Sequence, residues 1–126
     1  MSEHRKSKYR VQLGKWGENC ALAFLEQKGY TFIERNLRFP HGEIDLVMRK
    51  DNMIVFVEVK TRNKVINGFP ESGMTNKKIQ HMDDSIQNYL DKHPEIIDNW
   101  RADVISVIGS PDQSQQPKID WWQNEF

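Results

Sequence analysis

Gly42-Glu43-Ile44-Asp45-Leu46-Val47, followed by Val55-Phe56-Val57-Glu58-Val59-Lys60-Thr61-Arg62, is the stretch that decides the fold of this chain. Apolar residues recur with the two-residue period of β-strands through both runs. Lys50, Asp51 and Asn52 between them suit a hairpin connection. In the earlier strand, 43–48, Ile44, Leu46 and Met48 are expected on one face, with Glu43, Asp45 and Val47 on the other. In the later strand, 53–62, Val55, Val57 and Val59 line one face and Ile54, Phe56, Glu58 and Lys60 the opposite one. Glu58 and Lys60 therefore leave the same side of the sheet, and a hairpin lets Asp45 stand beside them. Two carboxylates and an ammonium then share one end of a Val-rich core.

Charges in such a place need partners or a metal. An interstrand ion pair of Lys60 with Asp45 or Glu58 is the plainest account, but it adds little stability and leaves the second carboxylate unexplained. A functional site uses both acids. Two carboxylates suit a hard divalent cation, Mg²⁺ or Mn²⁺, which keeps several waters. Such a cation polarises a scissile phosphate and acidifies an attacking water. An adjacent ammonium orients that water or offsets charge on the pentacovalent phosphate. The E-x-K element by itself is common in strands, whereas D-x₁₂-E-x-K across a predicted hairpin is much rarer. Arg62, Lys64 and Lys77 flank the acids and are candidates for nucleic-acid backbone contact.

Upstream, Leu13, Gly17, Cys20, Ala21 and Phe24 recur at helical spacing, with Leu25 widening the stripe, and predict a helix over 11–28 ended by Gly29. Residues 1–10 are polar and basic and are expected to be flexible, leaving 11–126 as a single domain. A strand is expected over 30–36. Downstream, Gly68, Pro70 and Gly73 mark a loop over 63–74. A helix over 75–91 follows, with Thr75 as N-cap and Ile79, Met82, Ile86 and Leu90 on its inner stripe. A buried strand over 102–108 and a short edge strand over 118–122 complete the chain. The expected class is α/β, a mixed central sheet with flanking helices in the order α-β-β-β-α-β.

Cys20 is the sole cysteine among 126 residues, so an intramolecular disulfide and a thiolate zinc cage are excluded, and it reads as a small core residue. Residues 1–80 carry fifteen Lys or Arg against nine Asp or Glu, while 81–126 carry three against nine. A nucleic-acid partner is compatible with the earlier part. No run reaches transmembrane length and the start lacks a secretory apolar stretch, so a cytoplasmic protein without a membrane partner is expected. His4, His41, His81 and His93 have no metal-like spacing and read as surface residues. Gly14-Lys15-Trp16-Gly17 is no phosphate loop; its small residues let the helix approach the sheet. Of Trp121 and Trp122, one should pack inward.

Gly14–Glu18 ahead of an Ala-rich helix, Gly29-Tyr30, Asn36–Arg38 and the GEIDLV and VFVEVKTR runs together resemble the bacterial YraN family. The resemblance spans about residues 11–108. It implies the restriction-endonuclease-like, PD-(D/E)XK fold of the Holliday-junction-resolvase type, and a metal-dependent nuclease acting on DNA, branched DNA included. By position, Asp45 matches the metal-binding aspartate, Glu58 and Lys60 the E-x-K element, and Glu18 the acid that resolvase-like members place near the metal. Lys78 matches the basic residue of the family's Val-Thr-x-x-Lys motif, which here begins with Met74 instead of Val. Asp103 fits an acidic position before the fourth strand. Resolvase-like proteins usually act as homodimers. The alternative to catalysis is a nucleic-acid-binding or scaffold role on the same fold.

Overall fold

A computed structural model describes residues 3–63 and 76–124, with side chains from Lys8 onward. Thr75, Lys64 and the Gly68, Pro70 and Gly73 positions lie outside the described residues. The elements are α1 (Glu3–Gln27), β1 (Thr31–Phe39), β2 (Gly42–Lys50), β3 (Met53–Arg62), α2 (Asn76–Lys92), β4 (Trp100–Ile108) and β5 (Lys118–Trp122). The strands form one sheet in the order β1-β2-β3-β4-β5. β3 and β4 are parallel, and the other neighbours are antiparallel. This is the mixed α/β arrangement of a PD-(D/E)XK-like domain, with β5 as the edge strand beyond the core order.

α1 starts at Glu3 rather than near Val11. Residues 3–13 contain no Gly or Pro, and Lys, Arg, Gln and Leu sustain a helix without an apolar stripe. From Lys8 onward, only Gly17, Ala21 and Leu25 of α1 are buried, one per turn. At Gly17 the helix nearly touches β3: an added Cβ would overlap the Thr61 side chain. The helix closes on Gly29, whose φ of 92° puts it in left-handed space. Tyr30 N–H donates to Leu25 O and Gly29 N–H to Glu26 O, the paired bonds of a Schellman cap.

The sheet separates two apolar layers. On the α1 side Ala21, Leu25 and Tyr30 meet Leu46, Met48, Val55, Val57, Ile105 and Val107. On the α2 side Met82, Ile86 and Tyr89 meet Ile44, Val47, Ile54, Phe56 and Ala102. The stripe expected on α2 is thus correct at Met82 and Ile86, while Ile79 and Leu90 are half-buried and Ser85 and Tyr89 are buried. Trp121 packs on the α1-side core and donates its indole N–H to Asp103 at 2.9 Å. Asp103, fully buried, also accepts from Arg101 Nε and Asn124 N–H. Its three donors make it the fastening of β5 and the turn that follows, not a member of the acidic site.

One expectation from alternation fails. Ile44 packs on the α2 side with Val47, opposite to Leu46 and Met48. Pairing of β2 with β3 runs from Lys50↔Met53 to Leu46↔Val57 and stops there. On the other flank, Asn36 of β1 has a φ of 55°, and the register passes from Arg35↔Leu46 to Leu37↔Ile44 around it. β2 therefore changes face at Asp45, and the end of the β2–β3 ladder opens there.

Candidate active site

The opening between β2 and β3 is held by a side chain instead of a backbone rung. Asp45 Oδ2 accepts the Val59 N–H at 2.8 Å, satisfying a donor that strand pairing leaves unmet. The aspartate is only 5% exposed. Glu58 stands beside it, and the resulting cleft of about 290 Å³ is walled by Asp45, Glu58, Val59 and Thr61 on the sheet and by Arg10, Gly14 and Glu18 on α1. Burial pushes the Asp45 carboxyl up to about 8, and the neighbouring Glu58, Glu18 and Glu43 charges add to this, against the Val59 hydrogen bond. Burial also raises Glu58, partly offset by Lys60, by a hydrogen bond with Asp45 and by Lys78. Near neutral pH the pair thus retains a proton that two solvated acids would have lost.

Lys60 leaves β3 beside Glu58 and is 8% exposed. Burial brings its ammonium down to about 8, helped by Lys78 beside it and by Arg62 two residues on, while Glu58 opposes the change. Asp45 and Glu58 therefore crowd each other, Lys60, Lys78 and Arg62 crowd one another, and the two groups adjoin at Glu58–Lys60, while Arg10 also lines the acidic cleft. Lys78 comes from the first turns of α2, and Lys77, next to it, is exposed. Ser106, register partner of Lys60 on β4, is buried with its hydroxyl lacking a partner among the described residues.

Glu18 reaches the same cleft from α1 but is already engaged. Arg35 Nη2 donates to it at 3.2 Å, and Arg35 Nη1 donates to Asn19 at 2.9 Å. With its amide nitrogen turned inward, Asn36 donates to both Glu18 oxygens at 3.0 and 3.2 Å. Among the described residues no three His, Cys, Asp or Glu side chains converge tightly enough to hold one metal ion. The structure thus brings Asp45, Glu58 and Lys60 together, with Lys78 and Arg62 adjoining and Glu18 at the rim.

Sequence reasoning overlooked Glu43, Arg35 and Asn36. Glu43 lies two residues before Asp45 in an alternating run, which is a legible signal for proximity. Nothing in sequence shows that Arg35 and Asn36 would serve Glu18, because the link depends on how α1 crosses the sheet.

The family model described as "Uncharacterised protein family UPF0102" matches residues 17–107, from the α1–sheet contact through nearly all of β4. This chain belongs to the UPF0102 family. A UPF0102 protein of Syntrophomonas wolfei is 42% identical over 97 residues, covering 77% of this chain and 84% of its own. One from Geobacter metallireducens is 39% identical over 126 residues, covering 100% and 97%. One from Flavobacterium psychrophilum is 34% identical over 129 residues, covering 100% and 98%. UPF0102 membership agrees with the YraN-type resemblance of the sequence and with the nuclease-like fold. Among the described residues, no helix is long and apolar enough to cross a membrane.

Proposed function

We propose that this UPF0102 protein binds nucleic acid, with DNA favoured, by seating a backbone phosphate where its acidic and basic groups adjoin. The supporting observation is the grouping of charge: Asp45 and Glu58 crowd each other on one side, and Lys60, Lys78 and Arg62 crowd one another on the other. A phosphate oxygen relieves the cations, and a cation beside the acids relieves the carboxylates. The donor set suits Mg²⁺ or Mn²⁺, because such ions commonly take one or two protein carboxylates and fill their remaining positions with water and phosphate. Asp45 and Glu58 are the ligands; Glu18, tied to Arg35, acts from the rim through its charge. Lys60 and Lys78 hold phosphate oxygens, and Lys64 and Lys77 extend the contacts along the backbone. The cytoplasm is the compartment this partner implies.

A second reading is hydrolysis of the bound phosphodiester, favoured by the position of Lys60 two residues from Glu58 on β3, where each charge influences the titration of the other. A divalent cation on the acid pair would supply polarisation of the phosphate and an acidified water. Lys60, fixed at its place by β3, would stabilise charge that builds on the phosphate oxygens.

The test uses labelled linear, flapped, single-stranded and four-way DNA, and single-stranded RNA, each with Mg²⁺, Mn²⁺ or EDTA. Binding should fall steeply with salt, by about 0.9 in log affinity per log salt for each duplex phosphate neutralised. Salt-independent binding, or none, refutes the proposal. Metal-dependent cleavage that Lys60→Ala abolishes establishes the second reading; intact DNA and RNA in every lane limits the protein to binding.

A further inference from the structure

A second groove adjoins the acidic cleft, and Lys60 lines neither of them. It has a volume of about 350 Å³ and lies between α1 and the β1–β2 hairpin. Its walls carry Arg10 and Lys15 from α1 and Arg38 from β1, with Arg10, Glu18 and Glu43 at the end shared with the acidic cleft. Arg10, Lys15 and Arg38 are all exposed. Among the described residues none of the three makes an ion pair or a side-chain hydrogen bond, although Glu43 stands opposite Arg38 in the strand register. Arg35, three residues before Arg38 on β1, is by contrast committed to Glu18 and Asn19. Further along α1, residues 4–8 hold His4, Arg5, Lys6 and Lys8 without an acid.

Three cations line this groove against two acids, Glu18 and Glu43, and Glu18 is already engaged by Arg35 and Asn36, so positive charge is left over to attract an anion. Isolated surface arginines need no explanation; these three share a concave wall that joins the acid pair directly. From Lys60 and Lys78, across Asp45–Glu58, to Arg10, Lys15 and Arg38, the charge sequence is basic, acidic, basic. A nucleic-acid strand has phosphates at regular intervals, so it can satisfy both basic flanks only if it continues past the acid pair in both directions.

We infer that the Arg10–Lys15–Arg38 groove is the second half of the nucleic-acid track, so that the protein engages an internal phosphodiester and needs no strand end. The inference rests on the nucleic-acid binding proposed above and adds the direction and extent of the bound strand. The α1-side groove holds phosphates on one flank, and the Lys60–Lys78–Arg62 group holds them on the other.

The test measures anisotropy of fluorescein-labelled 30-nucleotide DNA, linear and covalently circular, in EDTA and over a salt series. The proteins are wild type, Arg10→Glu/Arg38→Glu, and Arg49→Glu, a control at the opposite end of β2. Thermal unfolding establishes that the variants are folded, and an Arg10→Gln/Arg38→Gln protein replaces the reversal should it fail to fold. Wild type should bind circle and line within about threefold of each other. The reversal should weaken both by at least about tenfold and lower the salt slope by about 1.4, from two single-strand phosphate contacts at about 0.7 each. Arg49→Glu should match wild type. Binding of the linear strand alone, or a reversal variant with wild-type affinity and slope, overturns the inference while leaving nucleic-acid binding intact. No binding by wild type overturns both.

Discussion

Replacing Asp45 by Asn removes a charge while keeping the shape and the oxygen that accepts the Val59 N–H. In the folded protein the Asp45 carboxyl is 5% exposed and titrates near 8 instead of near 3.8, chiefly because burial disfavours its charged form. The folded state therefore holds a proton between about pH 4 and pH 8 that the unfolded chain has released. Unfolding stability must fall as pH rises through that window, because the unfolded state binds fewer protons there. A displacement of about four pH units at about 1.4 kcal/mol each amounts to on the order of 5 kcal/mol. Asp45 and Glu58 share the proton as a pair, so the loss belongs to the pair. Urea unfolding of metal-free wild type and Asp45→Asn at pH 4, 5, 6, 7 and 8 measures it. Wild type should lose several kcal/mol relative to the Asn variant over the series, with the full penalty present above pH 8. At pH 8, Mg²⁺ at about a hundred times its Kd should restore on the order of 2.7 kcal/mol to wild type and little to the variant. Parallel stability curves for the two proteins would refute the claim that the cleft penalises the aspartate charge.

Lys60→Ala should leave the fold and most divalent-cation affinity intact; if the site hydrolyses DNA, single-turnover cleavage should drop about 10²–10³-fold. Gly17→Ala should destabilise the fold by about 1–3 kcal/mol, because its Cβ overlaps Thr61, and adding Thr61→Ala should recover much of that in denaturant titrations. Asp103→Ala should cost about 3–5 kcal/mol in the same assay by leaving Arg101 without its buried carboxylate, along with two stranded N–H donors. Unchanged stability in Asp103→Ala would remove the fastening role given to it.

The grouping of Asp45, Glu58 and Lys60 was legible because it depends on local rules. Glu58 and Lys60 are two apart on one strand, which places them on one side of the sheet, and the short connection to β2 returns Asp45 to their level. The helix end at Gly29 was equally local, since a left-handed residue there satisfies the last carbonyls of α1. The close approach of Gly17 was legible as a tendency of small residues, although its partner Thr61 was not. The start of α1 was misread because the boundary was drawn from apolar periodicity, and a helix that carries on without that periodicity leaves no such mark.

Tertiary structure alone decided the rest. Alternation predicts faces only while the ladder is continuous, and at Asp45 the left-handed Asn36 and the captured Val59 N–H reverse the face of Ile44. The engagement of Glu18 by Arg35 and Asn36 joins residues sixteen or more apart through the angle at which α1 crosses the sheet. That angle follows from how Gly17, Ala21 and Leu25 pack. The grouping of acids and of cations likewise arises where α1, β2, β3 and α2 converge. Residue spacing along the chain determines which side chains share a strand face, but electrostatic environment depends on distances through space, and those exist only once the layers have packed.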